Sequence, residues 1–99
     1  MIAILWRYAA APGAEARFAE VYGPKGDWAR LFGRAPGYVR TELLRGADGG
    51  FATLDYWDGP ESFEAFKAAF GEAYAELDAR CEALTEREEK VGVFEVVGG

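Results

Sequence analysis

Apolar residues recur along this chain with two different periods, and these periods predict where strands and helices lie. Four runs rich in β-branched and aromatic residues predict strands at 2–10, 38–45, 51–57 and 91–97. Apolar residues three and four positions apart predict helices at 14–22, in a short segment that begins at Asp27, and in a long segment after Pro60. The predicted order of elements is therefore β-α-β-β-α-β.

The long helix has the clearest pattern. Its apolar residues are spaced 3, 4, 4, 3, 4 and 3 positions apart and make one continuous stripe: Phe63, Phe66, Phe70, Tyr74, Leu77, Cys81 and Leu84. Gly71 lies inside this helix, and glycine costs a helix ~1 kcal/mol relative to alanine, so we expect a bend or a break there. Because Cys81 lies on the stripe, a buried and unreactive thiol is favoured over a nucleophile.

A βαββαβ order predicts an α+β fold of the ferredoxin-like type, with one antiparallel four-stranded sheet and its helices on one face. A chain of 99 residues is long enough for one domain, and we expect residues 1–99 to form it. Helices on one face leave the other face bare, and a large apolar surface is normally covered. A second copy of the chain is the simplest cover, so we expect a homodimer.

Successive strand residues point to opposite faces of a sheet, so their parity sorts them into two sets. The set expected under the helices is nearly free of charge: Ile2, Ile4, Trp6, Tyr8, Val39, Thr41, Leu43, Ala52, Leu54, Tyr56, Gly92, Phe94 and Val96. The set expected on the bare face mixes apolar and charged groups: Ala3, Leu5, Arg7, Tyr38, Arg40, Glu42, Leu44, Phe51, Thr53, Asp55, Trp57, Val91, Val93, Glu95 and Val97. Such a mixture is typical of a small-molecule cavity, which we expect between the two sheets of the dimer. A charge cluster that sets the register of the dimer explains the mixture equally well.

The composition narrows the range of functions. A net charge of −6 without any cluster of Lys and Arg argues against nucleic-acid binding. The chain has no histidine and one cysteine, so zinc and haem sites are disfavoured, and we expect no metal and no cofactor. No apolar run approaches the ~18 residues of a membrane span, and the chain does not open on a signal-peptide pattern. We therefore expect a cytoplasmic protein that does not bind membranes.

Three segments, in order, resemble one known family. They are PGAEARFAEVYGPKGDWARLFGRAPGYVRTELLR at 12–45, FATLDYWDGPESFEAF at 51–66 and LDARCEALTEREEKVGVFE at 77–95. Together they are similar to single-domain members of the antibiotic biosynthesis monooxygenase superfamily. The resemblance implies a dimeric α+β barrel, in which two four-stranded sheets pack face to face. It also implies several functions: some members oxygenate aromatic polyketides without metal or flavin, and others degrade haem with an axial histidine, which this chain lacks.

Oxygenation without a cofactor requires a base that deprotonates a phenol or hydroquinone, a group that holds the resulting anion, and a dry pocket. Asp55 is the expected base, because burial would raise the pKa of an aspartate toward neutral pH. Arg7 or Arg40 is expected to hold the phenolate, and Tyr8 or Tyr56 to donate a hydrogen bond. The expected substrate-binding residues are Trp28, Tyr38, Phe51, Thr53 and Trp57.

Structural roles are the alternative for several of these residues. An aspartate before an aromatic residue, as Asp55 is, is more often a structural partner of an arginine than a base, and Trp28 and Trp57 are more often packing residues. Three functions therefore remain open: a cofactor-independent monooxygenase of a small aromatic, a non-catalytic protein that binds a small aromatic or apolar ligand, and a structural dimer whose barrel is filled by side chains. A cavity of ~300 Å³ or more would favour the first two.

Overall fold

The structure is a computed structural model that describes residues 1–98. Its strands are β1 (Ile2–Ala10), β2 (Tyr38–Arg45), β3 (Phe51–Trp57) and β4 (Thr85–Glu95), and its helices are α1 (Glu15–Tyr22), α2 (Asp27–Phe32) and α3 (Pro60–Cys81). A 3₁₀ turn at Glu82–Leu84 joins α3 to β4. The strands form one antiparallel sheet in the order β2-β3-β1-β4. This is the predicted α+β, ferredoxin-like fold, in which α1 and α2 together take the place of the first helix.

Glycine-containing turns define where β2 begins and where it meets β3. Residues 46–50 close the β2–β3 hairpin: Gly49 has a φ of +90°, and the Gly50 N–H donates a hydrogen bond to Asp48 Oδ1 at 2.9 Å. Before β2, Gly37 has a φ of +92°, and a Cβ at this position would collide with the side chain of Ser62 in α3. Glycine meets both the conformational and the steric demand, so the chain can enter β2 directly against α3.

Helix α3 is bent where the sequence predicts. Phe70 has non-helical backbone angles, φ −118° and ψ 24°, immediately before Gly71. On either side of the bend, the predicted stripe is buried at Phe63, Phe66 and Leu77. The bend therefore lets both halves of a long helix follow the twisted sheet. None of the helices within residues 1–98 is long and apolar enough to cross a membrane.

All the helices pack on one side of the sheet, which we call the covered face, and the core lies between them. The largest fully buried side chains are Trp57, Phe18, Phe66 and Ile4. The Trp57 ring lies 5.6 Å from those of both Phe32 and Phe66, measured between centroids. Burying a large apolar side chain contributes roughly 1.5–3 kcal/mol, so this aromatic layer is the main attachment of the helices to the sheet.

The other side of the sheet, which we call the open face, keeps large apolar side chains in contact with solvent. Leu44 lies opposite Ala52 and is 47% exposed, and Phe94 lies opposite Ala3 and is 49% exposed. Leu54 is half-buried beside them. The prediction of a sheet with one covered and one uncovered face is confirmed for residues 1–98.

The faces of β3 are the reverse of those predicted by parity. Phe51, Thr53, Asp55 and Trp57 are all buried toward the helices, and Asp55 lies opposite Ile4 of β1. Parity predicts that the charge-free residues of each strand lie in the core. In β3, however, the core residues include the carboxylate of Asp55. Phe51 and Trp57 determine the orientation of the strand, because burying these two large rings gains more than burying the residues of the opposite face, which are Ala52, Leu54 and Tyr56.

Two β-bulges explain the other errors of the parity argument. In β2 a register shift between Tyr38 and Arg40 turns Tyr38 to the covered face and leaves Val39 46% exposed, whereas Thr41 and Leu43 lie as predicted. In the β1–β4 pair a register shift lies between Leu5 and Trp6, and Gly92 and Phe94 lie on the open face. A bulge inserts one residue and so reverses the alternation beyond it.

Strand β4 begins six residues earlier than predicted. The charged residues 85–90 pair with β1 as an edge strand. An edge strand needs backbone partners on one side only, and charged side chains are typical of such edges. Apolar patterning predicts only the second half of this strand, because its first half buries little apolar surface.

Candidate active site

A cavity of about 200 Å³ lies between the covered face and the helices. Every layer contributes to its lining: Trp6 and Tyr8 of β1, Tyr22 of α1, Trp28 and Phe32 of α2, Thr53 and Asp55 of β3, Tyr74 and Asp78 of α3, and Glu88 of β4. The sequence analysis predicts a mixed apolar and polar cavity between the two sheets of a dimer. This cavity has the predicted mixture of groups but lies within one chain. Its volume is below the ~300 Å³ expected of a typical ligand pocket, so only a compact molecule fits.

Asp55 is the buried charged group of the cavity. It is 6% exposed, and Thr41 Oγ1 donates a hydrogen bond to Asp55 Oδ1 at 2.8 Å. The Tyr38 hydroxyl lies 2.8 Å from Thr41 Oγ1. Since the single hydroxyl proton of Thr41 is directed at Asp55, Tyr38 must be the donor in this second bond. The three side chains thus form a directed chain of donors that ends on the carboxylate.

The surroundings of Asp55 suit it to proton transfer. Burial raises the pKa of Asp55 from its ordinary value of 3.8 to about 6, although the hydrogen bond from Thr41 acts in the opposite direction. A carboxyl group with this pKa is ionised at neutral pH and still binds a proton far more readily than an exposed aspartate. That is the property required of a general base near pH 7.

The tyrosine hydroxyls beside Asp55 are hydrogen-bond donors. Thr53 Oγ1 contacts the Tyr8 hydroxyl at 3.4 Å, which is a long and weak hydrogen bond. Burial raises the pKa of Tyr8, and the nearby charges of Asp55 and Glu88 raise it further. Burial likewise raises the pKa of Tyr22. Both phenols therefore stay protonated throughout the neutral range and present O–H groups.

Aromatic rings form the cavity walls. The Trp28 and Tyr74 rings meet edge to face with centroids 5.1 Å apart, and those of Tyr8 and Tyr22 are 5.0 Å apart. Trp28 is 8% exposed, and its buried indole Nε1–H has no hydrogen-bond acceptor within residues 1–98. Aromatic walls of this kind accept a flat ring by stacking or edge contact.

Two further carboxylates, Asp78 and Glu88, mark the solvent-exposed end of the cavity. They come from different elements, α3 and β4. Partial burial raises the pKa of Glu88, and the charge of Asp78 raises it further. The cavity thus has one carboxylate at its buried end and two at its mouth.

The structure brings together some of the predicted site residues. Asp55, Thr53 and Trp28 line the cavity, and Tyr38 acts on it through Thr41. Phe51 lies on the same face but packs in the core against Phe18, with ring centroids 4.7 Å apart. Trp57 is fully buried among the aromatic residues of α2 and α3 and is not part of the cavity lining.

The two arginines expected beside Asp55 lie on the opposite face of the sheet. Arg7 is exposed opposite Ala52, and Arg40 is exposed with its guanidinium carbon 4.1 Å from the centroid of the Tyr56 ring. The ion pairs found within residues 1–98 do not include Asp55. The prediction that an arginine shares a face with Asp55 is therefore wrong. The physical reason is the reversed orientation of β3, which turns Asp55 inward and leaves both cations outside.

The sequence analysis did not single out several lining residues as site residues: Trp6, Tyr22, Phe32, Tyr74, Asp78 and Glu88. Most of them belong to apolar stripes that predicted packing. Four of the six are aromatic, but their neighbours on the same stripes include other aromatic residues, so the pattern does not separate cavity walls from core packing. Asp78 and Glu88 carried no signal, because both are charged residues in exposed runs.

Three lining residues carry a carboxylate, the group that could bind a metal ion: Asp55, Asp78 and Glu88. Within residues 1–98, no group of three or more His, Cys, Asp or Glu side chains lies close enough together to hold a metal ion. The residues that could contact a bound molecule are therefore aromatic rings, hydroxyl groups and carboxylates.

Comparisons with known proteins place the fold. No protein-family model matches the chain, and no curated protein does. Among solved structures, a variant of SnoaB, a cofactor-independent oxygenase from Streptomyces nogalater, is 27% identical with a TM-score of 0.70, and the match covers 99% of this chain and 94% of that one.

Two more distant structures share the fold alone. MhuD, a heme-degrader from Mycobacterium tuberculosis with two hemes in its active site, is 23% identical with a TM-score of 0.66, covering 98% of this chain and 96% of that one. A candidate antibiotic biosynthesis monooxygenase from Nitrosomonas europaea is 14% identical with a TM-score of 0.62, covering 98% and 99%. The resemblance that the sequence segments indicated is confirmed at the level of the fold.

Proposed function

We propose that this chain, which has the fold of antibiotic biosynthesis monooxygenases, belongs to that superfamily and is a cofactor-independent monooxygenase of a compact phenol or hydroquinone. The observation that carries the proposal is Asp55: a carboxylate, 6% exposed, that lines an aromatic cavity and has a pKa of about 6. SnoaB, which is a cofactor-independent oxygenase, supports the same reaction class.

In the proposed reaction, Asp55 removes the phenolic proton of the substrate. The negative charge then moves from the carboxylate to the substrate oxygen, so the total charge of the cavity does not change. For this reason an arginine inside the cavity is not required. The protonated Asp55 and the Tyr8 hydroxyl are available to donate hydrogen bonds to the phenolate.

The phenolate then transfers one electron to O₂. The resulting superoxide and phenoxyl radical form a C–O bond at a ring carbon, and the peroxide takes the proton from Asp55. Loss of the hydrogen on that carbon, with cleavage of the O–O bond, leaves a quinone carbonyl and releases water. One oxygen atom of O₂ is retained in the product, and the other leaves as water. The enzyme contributes proton transfer, orientation and the exclusion of water.

The small volume of the cavity is also compatible with a second function, the binding of a small ligand without reaction. A space of about 200 Å³ suits a small ligand, and such a ligand could be bound without reaction. This alternative is a non-catalytic protein that binds a small aromatic compound between the sheet and the helices. It requires the same cavity but no role for the ionisation of Asp55.

We also propose that a second copy of the chain covers the open face. The support is that Leu44, Leu54 and Phe94, all on this face, keep large apolar side chains in contact with solvent, and apolar surface of this kind is typical of interfaces. Because the open face of one copy can pack on that of another, a two-fold dimer buries the same patch twice. The cavity is enclosed by a single chain, so this dimer would stabilise the sheet without lining the site.

Oxygen consumption tests the proposed function. The protein is incubated with a panel of phenols, hydroquinones and naphthols in an oxygen electrode, and the products are identified by mass spectrometry. We expect uptake of one O₂ per product that gains one oxygen atom. Asp55→Asn keeps the shape of the side chain and should lower turnover by roughly 10²–10⁴-fold, the usual contribution of a general base.

Glu72→Gln is the matched control, because it changes an exposed carboxylate of α3 outside the cavity to the same amide. It should leave turnover unchanged. Full activity of the Asp55→Asn variant would remove Asp55 from the proposed role. Binding of the panel without oxygen uptake would favour the non-catalytic alternative.

A further inference from the structure

The charge of the cavity has one sign. Its charged lining residues are Asp55, Asp78 and Glu88, and no lysine or arginine lines it within residues 1–98. The cations adjacent to lining residues in sequence lie elsewhere: Arg7 lies opposite Ala52, and Arg87 lies opposite Ala9, both on the open face. The Lys90 Nζ lies 5.7 Å from the Phe63 ring centroid. An anionic ligand would meet only negative charge here, and a cationic ligand would be attracted.

The aromatic lining acts in the same direction. Six of the ten lining residues present aromatic rings, including Trp6, Trp28 and Tyr74. The faces of such rings attract a positive charge, most strongly for tryptophan. Aromatic walls combined with carboxylates form the kind of site that recognises protonated amines. A cavity built only for neutral aromatic compounds would need no carboxylates at its mouth.

The arrangement also separates the two ends of the cavity. Asp55 lies opposite Ile4, and Glu88 lies opposite Tyr8, four residues further along β1. A strand rises ~3.3 Å per residue, so the two carboxylates belong to positions ~13 Å apart along the sheet. The two strands that carry them flank β1 on opposite sides, so the two carboxylates belong to opposite ends of the cavity.

We propose that the cavity selects phenols that carry a protonated amine, with the hydroxyl group at Asp55 and the ammonium group at Asp78 and Glu88. The proposal rests on the function proposed above and names the substrate class for the same site. Phenols that carry a carboxylate in place of the amine are excluded by charge.

Three matched ligands test this proposal: tyramine, 4-ethylphenol and 3-(4-hydroxyphenyl)propionate. They share a phenol and a short side chain and differ at its end, which is cationic, neutral or anionic. Dissociation constants are measured by calorimetry at pH 7.5 without oxygen, so that turnover does not consume the ligand. Cation–π contacts and exposed ion pairs together should make tyramine bind roughly tenfold tighter than 4-ethylphenol, and the propionate should bind more weakly than both.

Variants then test whether the preference for tyramine arises from Asp78 and Glu88 at the mouth of the cavity. The double variant Asp78→Asn, Glu88→Gln should reduce the advantage of tyramine over 4-ethylphenol to about threefold or less, without a change in the affinity for 4-ethylphenol. Glu89→Gln is the matched control, because Glu89 is next to Glu88 but lies opposite Arg7 on the open face. It should preserve the full preference.

The outcomes separate this proposal from the proposed function. Equal affinities for the three ligands, or an unchanged preference in the double variant, would overturn the selection of amines. If the protein consumes oxygen with the phenols, hydroquinones and naphthols while the three affinities are equal, the function stands and the selection fails. If tyramine is preferred but no member of either set consumes oxygen, the selection stands and the oxygenase function fails.

Discussion

The covered and open faces of the sheet come from the same four strands but differ in what they do with polar groups. On the covered face, Asp55 is 6% exposed, and burial raises its pKa to about 6. On the open face, Arg40 lies exposed over the Tyr56 ring, and the Tyr56 hydroxyl donates a hydrogen bond to Glu42 at 2.8 Å. Water screens the charges of the open face, whereas the helices exclude water from Asp55. The difference shows that chemistry depends on burial more than on the presence of charged residues.

The two faces should also differ in what they contribute to stability. Phe66→Ala removes a side chain that is 1% exposed and packs between Phe32 and Trp57, so it should lower the free energy of unfolding by about 3–5 kcal/mol. Leu44→Ala on the open face should change it by about 0.5 kcal/mol or less in the isolated chain. Denaturant unfolding of both variants at low protein concentration provides the measurement. Equal losses would show that the two faces are packed alike.

Asp55 should make the stability of the covered face depend on pH. Its pKa is raised on folding from 3.8 to about 6, so the folded state binds the proton more tightly, and ionisation costs stability as the pH rises between these values. Asp55→Asn avoids this cost and should be more stable than the original chain by about 3 kcal/mol above pH 7, with no gain at pH 4. Thermal unfolding of both proteins from pH 4 to pH 8 checks this. A pH-independent difference would contradict the burial of an ionised Asp55.

A charge introduced on the open face should break the proposed dimer. Phe94 is 49% exposed in the single chain, and burying a phenylalanine contributes roughly 1.5–3 kcal/mol, so Phe94→Glu should weaken association by about tenfold or more. Phe94→Leu, which keeps the position apolar, is the control and should still associate. Sedimentation at micromolar concentration distinguishes the two. A stable monomer of the unmodified protein at this concentration would contradict the proposed dimer.

The smallest expected effect concerns the hydrogen bonds that end on Asp55. Thr41→Val removes the donor to Oδ1, which stabilises the charged form, so the pKa of Asp55 should rise by about one unit. The acid limb of the kcat/KM profile should move to higher pH by the same amount. Tyr38→Phe removes only the second donor of the chain and should cause a smaller shift in the same direction. An unmoved profile in Thr41→Val would assign the titration to another group.

Much of the fold could be predicted from local patterns. The boundaries of β1, β2 and β3 agree with prediction, and the bend at Phe70 follows from Gly71 in a long helix. The hairpin at 46–50 was also predictable from local sequence, because glycine and aspartate adopt its backbone angles independently of distant residues. The charged start of β4 was beyond this approach, because its pairing with β1 is decided by backbone hydrogen bonds and not by side-chain pattern.

The candidate site was predicted in part. Asp55, Thr53 and Trp28 were chosen from the sequence and line the cavity, but Arg7 and Arg40 were chosen on the assumption that all charged strand residues share a face. A buried carboxylate breaks that assumption, since it occupies a core position at an energetic cost. Glu88 and Asp78 are unremarkable in the sequence and become part of the site only because α3 and β4 meet at its mouth.

By itself, the sequence determined the order of elements, the side of α3 that is buried, the turns, and the presence of an aspartate within an aromatic strand. These depend on residues close together in the chain. Only the tertiary structure decided which way β3 and β4 face, where Asp55 is enclosed, and which carboxylates surround the same space. A single β-bulge or one bulky pair such as Phe51 and Trp57 reverses a strand, and the resulting burial depends on contacts between residues far apart in sequence.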